Sequence, residues 1–102
     1  IKFHGWSLNP RTHTITNPDE LNIPITGHEF AILQALINSS GRTLSREQLL
    51  DRVGNSRKHD PFDRSLDVMV AKLRRKLGDN AKMPHLIRTI RQVGYMFIGK
   101  ID

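Results

Sequence analysis

The chain has 102 residues, which is enough for one domain with a single modest hydrophobic core. It contains no cysteine, which excludes disulfide frameworks, thiolate metal sites and cysteine nucleophiles and fits a reducing cytoplasm. No apolar run is long enough to span a bilayer, and no signal-peptide segment opens the chain. Because the first residue is Ile rather than Met, we expect a piece of a longer cytoplasmic protein.

The net charge of +6 is concentrated in one part of the sequence. Residues 64–91 hold eight Lys or Arg against two acids, whereas the rest of the chain holds eight of each. Such a clustered excess is typical of proteins that bind a polyanion. Nucleic acid and anionic membrane are both candidates, but the basic segment carries no Trp or Phe on its apolar face, which disfavours the membrane.

Residues 3–25 predict a small antiparallel sheet of short strands. The β-leaning pieces are separated by two turn signals, Asn9-Pro10 and Asn17-Pro18-Asp19. We expect Trp6, which lies in one of these pieces, to anchor the core rather than to bind a ligand.

Two capping boxes predict the starts of two helices. Thr26-Gly-His-Glu29 opens the first helix, and Ser45-Arg-Glu-Gln48 opens a shorter second one that Gly54 ends. Thr43-Leu44, just ahead of the second capping box, is expected to form a brief strand.

The stretch Asp63–Leu77 predicts an amphipathic third helix. It follows Asp60-Pro61, an N-cap and a first-turn proline, and it ends before Gly78. One face is apolar and suits the core: Leu66, Val70, Leu73 and Leu77. The opposite face combines the hydrogen-bonding, apolar and cationic side chains that read base edges in a major groove: Ser65, Val68, Met69 and Lys72. The helix alone leaves open an ordinary surface helix with a solvated basic face.

Two β-branched or aromatic runs, Leu86–Ile90 and Tyr95–Ile98, predict a C-terminal hairpin in which Gly94 supplies a tight-turn conformation. A helix-turn-helix followed by such a hairpin is a winged helix. We therefore expect an α+β fold, a winged helix-turn-helix with an N-terminal antiparallel sheet, three helices and a C-terminal β-hairpin wing. This order, together with the clustered charge, favours DNA binding.

Two other classes of function are weaker. An enzyme would have to use one of five scattered histidines: His4, His13, His28, His59 and His85. They show no metal-ligand spacing, and the chain has no glycine-rich phosphate loop or nucleophile motif, so we expect neither catalysis nor a cofactor. A protein-interaction module remains possible for this fold, but it would not need its whole net charge on one helix and hairpin.

Four motifs in order resemble the C-terminal effector domain of OmpR/PhoB-type two-component response regulators. They are Thr26-x-x-Glu29-Phe30-x-x-Leu33, Leu44-Ser-Arg-Glu-Gln-Leu-Leu50, Asp63-Arg-Ser-Leu-Asp-Val68 with Leu73-Arg-Arg-Lys-Leu77, and Arg88-Thr-Ile-Arg91 with Gly94-Tyr95. The resemblance covers essentially all of residues 1–102. It implies a DNA-binding output domain and a receiver domain, absent from this chain, that a sensor kinase phosphorylates on an aspartate.

The resemblance also implies partners. Such proteins bind direct-repeat half-sites in double-stranded DNA as head-to-tail dimers, and they recruit or block RNA polymerase. The polymerase contact would lie in the loop Gly54–Asp60, which here lacks the Trp-Gly of many members. The isolated domain is expected to be monomeric in solution, because the receiver drives dimerisation.

Roles for individual residues follow from the same resemblance. The base-reading set is Ser65, Val68, Met69 and Lys72, with Val68 and Met69 suited to a thymine methyl and Lys72 to guanine or a phosphate. The residues expected at the DNA backbone are Ser45, Arg46, Arg64, Arg74, Arg75 and Thr89, with the free N–H groups that open the second helix available to a phosphate. Arg91 of the wing would reach toward the minor groove or the backbone. The pair Gln92-Val93 makes the wing tip less glycine-rich than in many relatives.

Overall fold

The computed structural model describes residues 1–53 and 65–102, and it confirms the winged helix-turn-helix. The elements are β1 (Lys2–Phe3), β2 (Trp6–Asn9), β3 (Thr14–Thr16), β4 (Asn22–Ile23), α1 (Gly27–Asn38), β5 (Thr43–Ser45), α2 (Arg46–Arg52), α3 (Ser65–Leu77), β6 (Ile87–Ile90) and β7 (Gly94–Phe97). The predicted end of α2 at Gly54 and the predicted start of α3 at Asp60-Pro61 and Asp63 lie outside the described residues.

The N-terminal sheet is antiparallel with strand order β1-β2-β3-β4. His4 and Gly5 join β1 to β2 with φ values of 46° and 81°, the two positive values that a tight two-residue hairpin requires. Trp6 is 8% exposed and belongs to the hydrophobic core, as predicted. The inward side of this sheet therefore supplies part of the core on which the helices pack.

The first helix begins at the predicted capping box. The Thr26 hydroxyl accepts a hydrogen bond from the Glu29 N–H at 3.1 Å, and the Glu29 carboxylate accepts one from the Thr26 N–H at 3.0 Å. The Glu29 carboxylate is also buried 2.5 Å from the Lys76 ammonium of α3. Burial alone would raise the pKa of Glu29, but the hydrogen bonds from Lys76 and Thr26 and the Lys76 charge hold it below its ordinary value. The start of α1 is thereby tied to the end of α3.

Helix α3 buries its predicted apolar face and ends at the predicted glycine. Leu66, Val70 and Leu73 have no exposed surface. Gly78 has φ 70°, its N–H donates to the Arg75 carbonyl at 3.3 Å, and the Asp79 N–H donates to the Arg74 carbonyl at 2.8 Å. These two bonds form the Schellman motif that a left-handed glycine after a helix permits.

The wing is a three-stranded antiparallel sheet of order β5-β7-β6, and β5 confirms the brief strand expected at Thr43-Leu44. Gly94 does not supply the turn conformation that we expected, because it lies in β7 opposite Ser45. A Cβ at Gly94 would lie 1.9 Å from the Leu44 carbonyl oxygen, so the glycine is needed for close approach of two strands. The positive φ of the turn, 65°, falls on Gln92.

We expect Gly94→Ala to lower the free energy of unfolding by about 3 kcal/mol, because its Cβ would collide with the backbone of β5. Gly27→Ala is the matched control, since a Cβ there meets no atom within 4 Å and should change stability by less than about 1 kcal/mol. Urea denaturation followed by Trp6 fluorescence measures both variants. Equal stabilities would contradict the close-approach explanation.

We expect Lys76→Met to lower the free energy of unfolding by about 2 kcal/mol at neutral pH, because it leaves the buried Glu29 carboxylate without its cation. The folded pKa of Glu29 is below its ordinary 4.5, so this stabilisation is present above pH 4.5 and is lost as the pH falls through the folded pKa. The difference between wild type and variant should therefore shrink at acid pH.

Arg75→Met is the control, because Arg75 is exposed and its substitution removes a cation from the same turn of the helix. Urea titrations across the acid range measure all three proteins. A deficit in Lys76→Met that stays constant to the acid end of the range would contradict the role of the ion pair.

Candidate nucleic-acid interface

The outer face of α3 presents small, apolar and cationic side chains to solvent. Ser65, Val68, Ala71 and Lys72 are exposed, with half of the Val68 surface accessible, and Arg75 continues the face by one turn. Met69 differs from the prediction for this face, because it is partly buried and packs against the core. It therefore lies at the edge of the exposed face rather than at its centre.

The Asp67 carboxylate joins three elements behind this face. Its Oδ1 atom lies 2.5 Å from Nη1 of Arg46 at the start of α2, and it also accepts a hydrogen bond from the Tyr95 hydroxyl of β7. The hydrogen bond to Asp67 raises the pKa of the Arg46 guanidinium above its ordinary value. Burial, followed by the bond to Asp67, raises the pKa of Tyr95 to about 12, so the phenol stays a neutral donor.

Arg74, two turns after Asp67 on the same side of α3, also connects the helix to the wing. It is 8% exposed, and its Nη2 donates to the Ile87 carbonyl at 2.9 Å and to the Thr89 hydroxyl at 2.8 Å. Its guanidinium carbon also lies 5.6 Å from the centre of the Tyr95 ring, within cation–π range. The predicted backbone cation is thus directed into the protein, where it holds β6 and β7 against the helix.

The hydrogen bond from Arg74 also positions Thr89, which is exposed on β6. Its hydroxyl oxygen accepts from Arg74, so its own hydrogen remains available as a donor. Arg74 thereby fixes the position of the hydroxyl of an exposed wing residue.

The start of α2 is less open than the sequence indicated. The Gln48 N–H donates to the Ser45 hydroxyl at 3.0 Å, and the Arg46 N–H donates to the Val93 carbonyl at 3.3 Å. Two of the N–H groups that we expected to meet a phosphate, those of Arg46 and Gln48, are thus used within the protein. The wing occupies one of them, because β5 leads directly into α2 and pairs with β7.

The wing tip carries exposed cationic and polar groups. Arg88, Arg91 and Gln92 are exposed, and 48% of the Val93 surface is accessible. The Val93 N–H donates to the Ile90 carbonyl at 3.0 Å, which closes the turn. The wing tip therefore exposes a cation and an amide on the hairpin that Thr89 joins to Arg74 of α3.

Arg64, His59 and the loop Gly54–Asp60 lie outside the described residues. Of the other histidines, His13 stacks on the core residue Phe30 with ring centres 4.7 Å apart. Within 1–53 and 65–102, no three His, Cys, Asp or Glu side chains cluster in a way that could hold a metal ion. No helix in those ranges is long and apolar enough to cross a membrane.

Sequence reasoning missed Asp67 and Tyr95, which connect α3 to the wing behind the candidate interface. A signal was present, since Asp67 is one of only two acids among residues 64–91. A carboxylate retained in the middle of a basic helix needs a cation or a donor nearby, but the sequence does not say which one. Arg46 is 21 positions away and Tyr95 is 28, and only the fold brings them together.

The chain matches the family model described as "Transcriptional regulatory protein, C terminal" over residues 20–97. The transcriptional regulatory protein AruR of Pseudomonas aeruginosa is 42% identical over 96 residues, which cover 94% of this chain and 39% of AruR. The regulatory protein VirG of Agrobacterium fabrum is 37% identical over 102 residues, which cover all of this chain and 40% of VirG. The chain thus spans about two fifths of the length of these curated relatives.

Among solved structures, the DNA-binding domain of Klebsiella pneumoniae RstA, in complex with the RstA box, is similar with a TM-score of 0.86 and 33% identity. The match covers 96% of this chain and 95% of that domain. Family model, relatives and fold agree, and the chain belongs to the family of OmpR/PhoB-type C-terminal effector domains of response regulators.

Proposed function

We propose that this domain binds double-stranded DNA in a sequence-specific manner and regulates transcription as the output domain of a phosphorylation-controlled response regulator. The observation that carries the proposal is the α3 face, where a half-exposed Val68 lies among exposed polar and cationic side chains next to the wing. A protruding helix with this mixture suits the width and the donor–acceptor pattern of the major groove.

The proposed base-reading residues divide the work by chemistry. Val68 offers an apolar surface to a thymine methyl, Lys72 offers an ammonium to the O6 and N7 acceptors of guanine or to a phosphate, and Ser65 offers a hydroxyl. Met69, at the edge of the face, packs α3 on the core and contributes its outer atoms to the apolar contact. With Ala71 beside Lys72, polar base readout is sparse and Lys72 carries most of it.

The proposed backbone contacts surround this face. Thr89 donates its hydroxyl hydrogen to a phosphate, and Arg75 and Arg91 supply charge from the end of α3 and from the wing tip. Arg74 acts through Thr89, as a positioning residue rather than a direct clamp.

Three residues complete the proposed contacts at the DNA backbone. Ser45 and Arg46 border the surface from the start of α2, and Arg64 immediately precedes α3 in the sequence.

The remaining partners are proposed from the family and from the length of the relatives. A receiver domain phosphorylated by a sensor kinase accounts for the part of AruR and VirG that this chain does not cover. We further propose head-to-tail dimers on direct-repeat half-sites, a monomeric isolated domain, an RNA polymerase contact through the loop Gly54–Asp60, and a cytoplasmic location with the chromosome. The solved complex of RstA with the RstA box supports DNA as the ligand.

We expect Lys72→Ala to remove a preference for one base position, with a loss of about tenfold in affinity for the best duplex, because one good base contact contributes about 1–3 kcal/mol. The measurement is selection and sequencing of duplexes bound from a random pool, followed by salt titration of the enriched duplex. Lys2→Ala on β1 is the matched control, since it removes the same charge from the N-terminal sheet.

The control should enrich the same motif as wild type with nearly the same affinity. Uniform weakening of Lys72→Ala without a change in motif would reassign Lys72 to a phosphate. Binding by the wild-type chain that does not respond to salt would contradict DNA recognition altogether, because released counterions make such binding salt-dependent.

A further inference from the structure

Gln92 adopts a backbone conformation that its side chain makes unfavourable. Its φ is 65°, in the left-handed region that glycine and asparagine tolerate far better than glutamine. Such a residue persists where the surrounding structure holds it in place, and it is a reason to look for a function of its side chain.

The surrounding backbone holds this conformation from two sides. On the wing, the Val93 N–H donates to the Ile90 carbonyl at 3.0 Å. On α2, the Arg46 N–H donates to the Val93 carbonyl, and the adjacent Gly94 packs directly on the Leu44 carbonyl. The wing tip is thus anchored to the helix-turn-helix, and the backbone position from which the Gln92 side chain leaves is fixed.

Gln92 lies where the wing meets the helix-turn-helix. The residue is exposed between Arg91 and Val93 at the wing tip. It also lines the small cleft between wing and helix, together with Asp67 and Thr89. In a complex that places α3 in the major groove and the wing over the next groove, one DNA strand passes this cleft.

We propose that the Gln92 carboxamide is a further DNA contact, which donates a hydrogen bond to that strand. The acceptor is either a phosphate oxygen or a minor-groove base atom, N3 of adenine or O2 of thymine, since a carboxamide serves both. A glycine at this position would relieve the backbone strain but would supply no donor. The inference rests on the proposed function, because it names a contact within the same DNA-binding surface.

Two substitutions separate the contribution of the Gln92 side chain to binding from the effect of its backbone strain on stability. Gln92→Met has a similar size and the same unfavourable conformation but no donor, so we expect unchanged thermal stability and about fivefold weaker binding to the duplex enriched by wild type. Gln92→Gly loses the donor and the strain together, so we expect a higher thermal midpoint and a similarly weakened affinity. A higher thermal midpoint together with weaker binding in Gln92→Gly is the result that distinguishes this proposal.

Glu20→Gly is the matched control, since Glu20 is also exposed and has the same φ of 65° in the N-terminal part of the chain. It should raise the thermal midpoint without weakening DNA binding. Salt titration supplies a second check, because loss of a neutral donor leaves the salt slope unchanged, whereas displacement of Arg91 would lower it by about one.

Selection from random duplexes with Gln92→Met identifies the acceptor. Loss of an A·T preference at a position beside the main motif indicates a base contact, and weakening without a change in preference indicates a phosphate; both support the contact. Wild-type affinity in Gln92→Met, or a lowered salt slope, overturns it while leaving DNA binding by α3 intact. Absence of salt-sensitive binding by the wild-type chain overturns this inference and the proposed function together.

Discussion

The arrangement of the DNA-facing elements depends on the Asp67 carboxylate. One oxygen of Asp67 receives hydrogen bonds from Arg46 of α2 and from Tyr95 of β7, while its backbone belongs to α3. The three elements come from distant parts of the chain. A partly buried carboxylate that loses one donor remains costly to desolvate, so the network favours one relative position of helix and wing. The network therefore holds α3 and the wing in one relative position.

The cations of the basic segment perform two different tasks. Arg74 and Lys76 are directed inward, where they bind the wing and the buried Glu29 carboxylate. Lys72, Arg75, Arg88 and Arg91 are exposed on α3 and the wing, where their charge is available to a polyanion. The charge cluster that suggested DNA binding is thus partly a structural feature. Counting cations in the sequence therefore overestimates the number that are available on the surface.

The sequence predicted the elements well, because each depends on local chemistry. The two capping boxes, the glycine after α3 and the apolar stripe of α3 are all found where the residue types placed them. What it did not predict depends on contacts between distant segments. Gly94 is needed because the Leu44 backbone approaches it closely. Arg74 turns inward because it donates to the Ile87 carbonyl and the Thr89 hydroxyl. The Arg46 N–H is occupied because it donates to the Val93 carbonyl. Spacing along a helix places a side chain on a face, but it does not show which tertiary partner it meets.

The most direct test compares two substitutions that each remove one negative charge, one from α3 and one from the exposed surface of α2. If charge alone governed binding, Asp67→Asn and the exposed α2 variant Glu47→Gln would both bind DNA more tightly. Because Asp67 positions Arg46 and Tyr95, we expect Asp67→Asn to bind the enriched duplex several-fold more weakly than wild type, and Glu47→Gln to bind at least as tightly. Affinities are measured at one salt concentration, at a temperature where circular dichroism shows both variants folded. Tighter binding by Asp67→Asn would contradict the central role of this carboxylate.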